Sequence, residues 1–475
     1  MLTWEFPPRI IGGISTHAYH LSQALTEKGV TVHVVTCDFP KTPAEEVVGG
    51  THVSRVESSG ISQSNFHLWV YHLNSQLIER AKQILEGDRF DLIHAHDWLV
   101  GRAAIELKTR YELPLVTTIH ATEMGRGGAL DDSYRKKIHA TERLLTESSE
   151  RVICCSNYMV HHVQDVLGTP ADRIHVIPNG VDPEKFERQP LGTIQNRPSQ
   201  GNRHTVLFVG RLVKEKGVST LLQAIKDLKT QGSQTNLIVI GDGPMREDLS
   251  REALDLGIDG NVRFTGFVDS STLVSSYRSS DVCVLPSLHE PFGMVALEAM
   301  AAGTPIIVSD VGGLSEIVED GVTGLKVPPN DHTLLAHTIR KLLEDPSLAT
   351  QLRQNAHRHV REHYGWNPIA EKTINVYNIA ESQRRIPVSP VPDADLLGDE
   401  DLLDYLHVAG ATAQEDAKSA REIASAIGAP EFPVKLVLGR TVSAGYVSTI
   451  LEDELSGVRY HLNATGIIKV CSGLS

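Results

Sequence analysis

Between positions 289 and 303 the chain reads His-Glu-Pro-Phe-Gly-Met-Val-Ala-Leu-Glu-Ala-Met-Ala-Ala-Gly, with two carboxylates, Glu290 and Glu298, on either side of Gly293. A glycine at that point lets a ligand reach the backbone, and a helix starting there offers unsatisfied N–H groups to a phosphate. Glu298 follows about 7 Å along the helix axis, a reach at which a carboxylate accepts two hydrogen bonds from a ribose diol. Glu290 stands before the helix and is placed to address the ligand directly. Both could be ordinary helix-entry and surface carboxylates, but Glu298 lies between Leu297 and Ala299 in an apolar helix, which argues for a function. A second run, Gly210-Arg-Leu-Val-Lys-Glu-Lys-Gly217, puts Arg211 and Lys216 around a strand-to-helix loop. Two cations there neutralise a departing diphosphate without a metal, since charge develops on that group in the transition state; solvated loop charges are the plainer alternative.

Further residues fall at predicted strand ends. Gly12 and Gly13 follow the first strand, Asp97 follows Leu92–His96, and His120 ends Leu115–Ile119. After His120 come Thr122, Glu123 and Arg126, a polar loop. Glu123 and Arg126 either shape a binding site or pair with each other, and Asp97 has the same two readings. His94 and His96 share one strand face, but no third ligand stands near them in the sequence, so no metal site is expected.

The elements that must position these residues alternate strand and helix, the pattern of parallel α/β sheets. The first set of strands is predicted at Met1–Glu5, Thr31–Thr36, Leu92–His96, Leu115–His120 and Val152–Cys155, with helices such as Thr16–Lys28 and Ser75–Leu85 between them. The second set comprises Thr205–Gly210, Asn236–Ile240, Val262–Thr265, Val282–Pro286, Pro305–Ser309 and Gly324–Val327, with helices over Ser219–Lys229 and Met294–Ala302. Every candidate residue then lies on the carboxyl edge of its sheet, where open α/β sheets bind ligands. Two doubly wound domains with a cleft between them are expected, over residues 1–185 and 205–363, joined by a linker at 186–204. The segment 364–384 reads as a closing helix. Residues 385–475 read as an acidic linker and a small appended module with a helix at Glu415–Ile427 and strands at Val434–Leu438, Tyr446–Ile450 and Tyr460–Leu462; they hold 7 Lys/Arg and 13 Asp/Glu, 7 − 13 = −6.

Composition narrows the classes. The 475 residues carry a formal charge of −14, which disfavours nucleic acid as a partner. No apolar run is long enough for a transmembrane helix, and the start lacks the basic and apolar regions of a signal peptide. Peripheral membrane contact stays open. The five cysteines form no CxxC, in keeping with free thiols in a reducing cytoplasm.

Taken together, Gly12-Gly13, His120, Asn179-Gly-Val-Asp182, Gly210-Arg211…Lys216-Gly217, Gly241-Asp-Gly-Pro244 and Glu290-(seven residues)-Glu298 resemble the retaining GT-B glycosyltransferases of family 4, from Met1 to about Arg384. The family's chains usually carry several more residues before the Met-Leu-Thr-Trp-Glu-Phe-Pro-Pro strand. The resemblance implies two Rossmann-like domains and transfer of a hexose from a nucleotide-diphosphate sugar, with retention. It implies that Arg211 and Lys216 hold the diphosphate, Glu298 the ribose and Glu290 the sugar hydroxyls. Phe292, Gly293, Met294 and Val295 would contact sugar and phosphate through the backbone, Gly12-Gly13 would pass close to the phosphates, and His120 would lie against the reacting sugar. No cofactor beyond the donor is expected. The acceptor is a carbohydrate or another hydroxyl compound; glucan elongation, as in glycogen and starch synthases, and polysaccharide biosynthesis are narrower versions. A nucleotide-sugar epimerase on the same fold is the runner-up, and the Glu290–Glu298 block argues against it. An NAD-dependent oxidoreductase would need a G-x-G-x-x-G that neither Gly12-Gly13 nor Gly241-Asp-Gly243 completes.

Overall fold

A computed structural model describes residues 1–58, 66–127, 130, 133–187, 203–383 and, in the tail, 402–403, 405–406, 411, 417–427, 434, 437–438, 441–443, 446–451 and 458–462. The chain forms two compact units. The first comprises Met1–Ile119, Ala129–Val152 and Val376–Ser475, and the second His120–Gly128 and Ile153–Asn375.

In the first unit β1 (His33–Cys37), β2 (Glu45–Val48) and β3 (Thr51–Val56) lie in the order β1-β3-β2, with β1 parallel and β2 antiparallel to β3. β4 (Ile93–His96) and β5 (Leu115–Ile119) pair in parallel. Leu2 bridges both Val35 and Ala95, so the first residues lie between β1 and β4. The expected strand over Met1–Glu5 is therefore present as one bridging residue, after which the chain turns away at Pro7–Pro8. Val35, Trp69, Leu73, Ala95 and Leu115 share one core. The helix Gly13–Glu27 buries Ala18, Leu21 and Leu25 at helical spacing, and Gly29 in a left-handed conformation closes it.

β6 (Arg151–Cys154) carries the chain from the first unit into the second, where β7 (Ile174–Val176) follows. The second unit is built on β8 (His204–Val209), β9 (Thr235–Ile240), β10 (Val262–Gly266), β11 (Val282–Leu285), β12 (Ile306–Ser309) and β13 (Leu325–Val327). Their order is β10-β9-β8-β11-β12-β13, and every pairing is parallel. β8 and β11 are apolar runs buried on both faces, as expected where helices cover both sides of a sheet. Val206, Phe208, Leu221, Ile225, Val282 and Ile307 lie in one core.

The tail belongs to the first unit. β14 (Lys418–Ser419), β15 (Val447–Leu451) and β16 (Val458–Leu462) form an antiparallel sheet in the order β14-β16-β15. Ile423, Ile427, Val434 and Leu438 pack with Leu68 and Tyr71 of the helix Phe66–Gly87. One expectation is corrected here: Val434, Val437 and Leu438, read as strand, are helical. Val434, Val437, Leu438 and Thr441 are all buried at i, i+3, i+4 and i+7, so the helical stripe outweighs the β-branched composition. The expected linker lies mostly outside the described residues, as do residues 384–401.

Candidate active site

In the second unit the strand order turns between β8 and β11: β9 and β10 lie beyond one, β12 and β13 beyond the other. An open parallel sheet binds ligands outside the carboxyl ends of its strands at such a switch point. Arg211 and Lys216 leave β8 and Glu290 leaves β11, so the sequence candidates converge on that crevice. Local chemistry joins the two loops. The Glu215 carbonyl accepts the backbone N–H of Leu288 at 2.7 Å and of His289 at 3.3 Å. Gly217 has φ +64°, and a Cβ there would stand 2.0 Å from the Pro286 carbonyl oxygen, so only glycine permits this approach. Lys216 Nζ consequently donates to Glu290 Oε2 at 2.6 Å, with both side chains largely buried. Arg211 is exposed and its side chain pairs with no carboxylate among the described residues. Its loop is held by Leu212 N donating to Asp242 O at 2.9 Å and Met245 N to Leu212 O at 3.0 Å, which accounts for the Gly241–Pro244 motif.

Gly293 caps the helix Met294–Ala301 at φ +115°, where a Cβ would meet Leu314 at 2.6 Å. No side chain caps this helix, nor the helices Gly13–Glu27 and Val218–Thr230. Ser156, Asp269, Asp331 and Asp345 do cap theirs. The helices at Gly13, Val218 and Met294 therefore keep N–H groups and the positive end of the dipole for an anion. Phe292 is buried, with its ring centroid 6.4 Å from that of Tyr364, while Met294 and Val295 are half-buried. Glu298 accepts a hydrogen bond from the wholly buried Tyr277 hydroxyl at 2.8 Å. Burial raises the Glu298 carboxyl above the usual range, with the Tyr277 hydrogen bond and the Lys185 charge pulling the other way. Tyr277 was not singled out from the sequence, because its partner is remote in the chain.

Glu290 is also fixed from behind. Its carbonyl accepts Gly313 N at 2.9 Å, and Ser156 Oγ donates to Pro291 O at 2.7 Å. Glu316 accepts Asn157 N at 2.9 Å and Tyr158 N at 2.7 Å, holding the start of the helix Asn157–Leu167 to the same block. Gly313 and Glu316 follow β12 in a Val-Gly-Gly run whose glycines were the available signal.

In the loop after β5, His120 is half-buried, and its imidazole is pushed down to about 3 by burial first and the Arg126 charge second, so it is neutral at neutral pH. Glu123 and Arg126 stand 4.0 Å apart as an i,i+3 pair. Of the first-unit candidates, Gly12 precedes the uncapped helix that begins at Gly13. The buried Glu5 accepts Ile11 N at 2.7 Å and Gly12 N at 3.0 Å and so shapes that turn. Asp97 is buried with φ 59°, a strained conformation for a non-glycine residue, and donates its N–H to Thr118 O at 3.0 Å.

Two family models match the chain: Glycosyltransferase Family 4 over residues 11–185 and Glycosyl transferases group 1 over residues 193–359. A glycosyltransferase of Methanocaldococcus jannaschii is 38% identical over 385 residues, covering 80% of this chain and 97% of the relative. The chain belongs to the group 1 glycosyltransferases. A glycogen synthase of Mycobacterium tuberculosis is 34% identical over 407 residues, 82% of this chain and 97% of that protein. Among solved structures, a sucrose-phosphate synthase from Thermosynechococcus elongatus superposes with a TM-score of 0.66 at 27% identity, covering 77% of this chain and 93% of that one. The fold is thus GT-B, with two Rossmann-like domains, and the protein is a transferase. Among the described residues no helix is long and apolar enough to cross a membrane.

Proposed function

We propose that this glycosyltransferase moves a hexose from a nucleotide-diphosphate sugar to a carbohydrate or other hydroxyl acceptor, with retention and without a metal. The observation that carries the reading is the Lys216–Glu290 pair at 2.6 Å on the switch point of the second unit, beside the uncapped helix at Gly293. Arg211 and the helix N–H groups take the diphosphate, and Lys216, with three N–H donors, reaches a phosphate oxygen while keeping Glu290. As the bond to the anomeric carbon lengthens, negative charge grows on the diphosphate and these fixed donors stabilise it. Glu290 accepts hydroxyls of the sugar and Glu298 those of the ribose, its second oxygen steadied by Tyr277. His120, neutral and half-buried, suits contact with the sugar, where a cation would oppose the positive charge developing there. Gly12-Gly13 would pass the phosphates, and Asp97, Glu123 and Arg126 would serve the acceptor. The names of the relatives, glycogen synthase and sucrose-phosphate synthase, support a saccharide product. Among the described residues four cysteines are buried and free, which supports a cytoplasmic setting.

The experiment is thermal unfolding with UDP, GDP, ADP and their sugars. A donor at a hundred times its Kd stabilises the folded state by about 2.7 kcal/mol. Arg211→Ala and Lys216→Ala should lose that stabilisation; variants that keep it remove these residues from the site.

A further inference from the structure

Next to Glu290, within the second unit, lie polar side chains from three separate segments. Thr122 follows β5, Tyr158 and His162 stand on the helix Asn157–Leu167, and His289 immediately precedes Glu290. The rings of Tyr158 and His162 stack with centroids 6.1 Å apart, and the His289 ring lies 5.8 Å from the first and 6.5 Å from the second. Thr122 Oγ1 accepts Gly125 N at 3.1 Å and lies 2.5 Å from His162 Nε2. The Tyr158 hydroxyl lies 3.1 Å from His289 Nδ1. A Cβ built on Gly125 would stand 3.1 Å from His289 Nε2, 3.2 Å from His162 Nε2 and 3.2 Å from Thr122 Oγ1. Three polar atoms from three segments thus crowd around Gly125, and a side chain there would press on all of them.

The proton inventory at this spot is restricted. Burial, then repulsion from His162, holds His289 below the usual imidazole range, so its ring is neutral and bears one N–H. A phenol O–H is a stronger hydrogen-bond donor than a neutral imidazole N–H, so the Tyr158 hydroxyl donates its hydrogen bond to Nδ1 and the ring's own proton sits on Nε2. That Nε2–H has no acceptor among the described residues of the protein. It lies by the 122–127 loop and the helix Asn157–Leu167, whereas Arg211, Lys216, the helix start at Gly293 and Glu298, which take the diphosphate and ribose in the reading above, lie within residues 211–298. We propose that His289 is a specificity-determining residue, its Nε2–H binding a hydroxyl oxygen of the acceptor as that group enters beside Glu290. Tyr158 is then a positioning residue that sets the tautomer. This inference rests on the transferase reading given above.

The test uses the full chain with UDP-glucose, ADP-glucose and GDP-mannose as donors, and glycogen, D-inositol 3-phosphate and glucose 6-phosphate as acceptors. His289→Ala should raise the acceptor KM about tenfold while moving the donor KM less than about twofold, and Tyr158→Phe should raise it about threefold. His289→Gln, whose amide N–H can replace the donor, should recover most of the loss. Equal effects on both KM values, or none on the acceptor's, overturn the assignment. Independently of any acceptor, 15N-histidine spectra of the wild type should place the His289 proton on Nε2, and Tyr158→Phe should mix the tautomers; an Nδ1–H ring in the wild type overturns it. A wild-type chain that releases no diphosphate from any donor, with or without acceptor, defeats the transferase reading itself and this inference with it.

Discussion

Replacing Tyr277 by phenylalanine removes one atom from the wholly buried ring and tests the ribose grip without touching a residue proposed to meet the ligand. The lost hydrogen bond, 2.8 Å long, goes to a carboxylate that burial already holds above its usual range. Hydrogen bonds to charged groups are worth about 1.5–3 kcal/mol, and the retained ring keeps the packing, so the variant should lose stability in that range. Glu298 would then lose its orienting donor and hold its proton more readily, and only the ionised form accepts two hydrogen bonds from a diol. Affinity for the preferred nucleoside diphosphate should fall about tenfold, or 1.4 kcal/mol. Calorimetric titration of UDP, GDP and ADP and urea unfolding read the two effects. Since both residues act through one contact, Tyr277→Phe with Glu298→Gln should cost less than the sum of the singles. Wild-type affinity in Tyr277→Phe, or strict additivity of the pair, would refute the reasoning.

Gly217→Ala should be severe: a side chain at φ +64° facing the Pro286 carbonyl at 2.0 Å costs at least about 2 kcal/mol and separates Lys216 from Glu290, so a fall in Tm should accompany loss of transfer. Acid should destabilise the fold through histidines held neutral. His33 and His120 are pushed down to about 4 and about 3, each by burial first, against about 6.5 in the unfolded chain. Between those values the unfolded chain binds more protons, so stability present above pH 6.5 declines toward pH 4, by up to about 2 kcal/mol for His120 at pH 5. Melting curves across that range check this, and His33→Gln should flatten them. Deleting residues 385–475 uncovers Leu68 and Tyr71, and burial of two such side chains is worth about 3 kcal/mol, so the shortened chain should melt lower; an unchanged Tm would show the tail to be energetically separate.

The alternation of apolar runs and helical stripes was enough to place β8 to β13, because buried parallel strands read as short β-branched blocks flanked by glycine. Met1–Glu5 and Val434–Leu438 show the limits of such blocks: one is a single bridging residue, and in the other Val434, Val437 and Leu438 are helical and buried at helical spacing. The β2–β3 hairpin escaped notice because its strands are short, partly exposed and joined at Gly49-Gly50. The position of site candidates was legible where residue type and strand-end position coincide, as for Arg211 and Lys216 after β8 and Glu290 after β11. What sequence could not supply was pairing across distance. Lys216 meets Glu290 across 74 positions, and Tyr158 meets His289 across 131. Local pattern holds no record of such contacts, since they depend on the strand order of the sheet.

The central claim is that the second unit holds a nucleotide sugar for retaining transfer. The most direct measurement is the anomeric configuration of the glycosidic bond formed from an α-linked donor such as UDP-glucose, read by proton NMR of the transfer product, with a chelator present. The account predicts an α-linked product whose formation is undiminished by the chelator and lost in Lys216→Ala; a β-linked product, or transfer that the chelator abolishes, would contradict it.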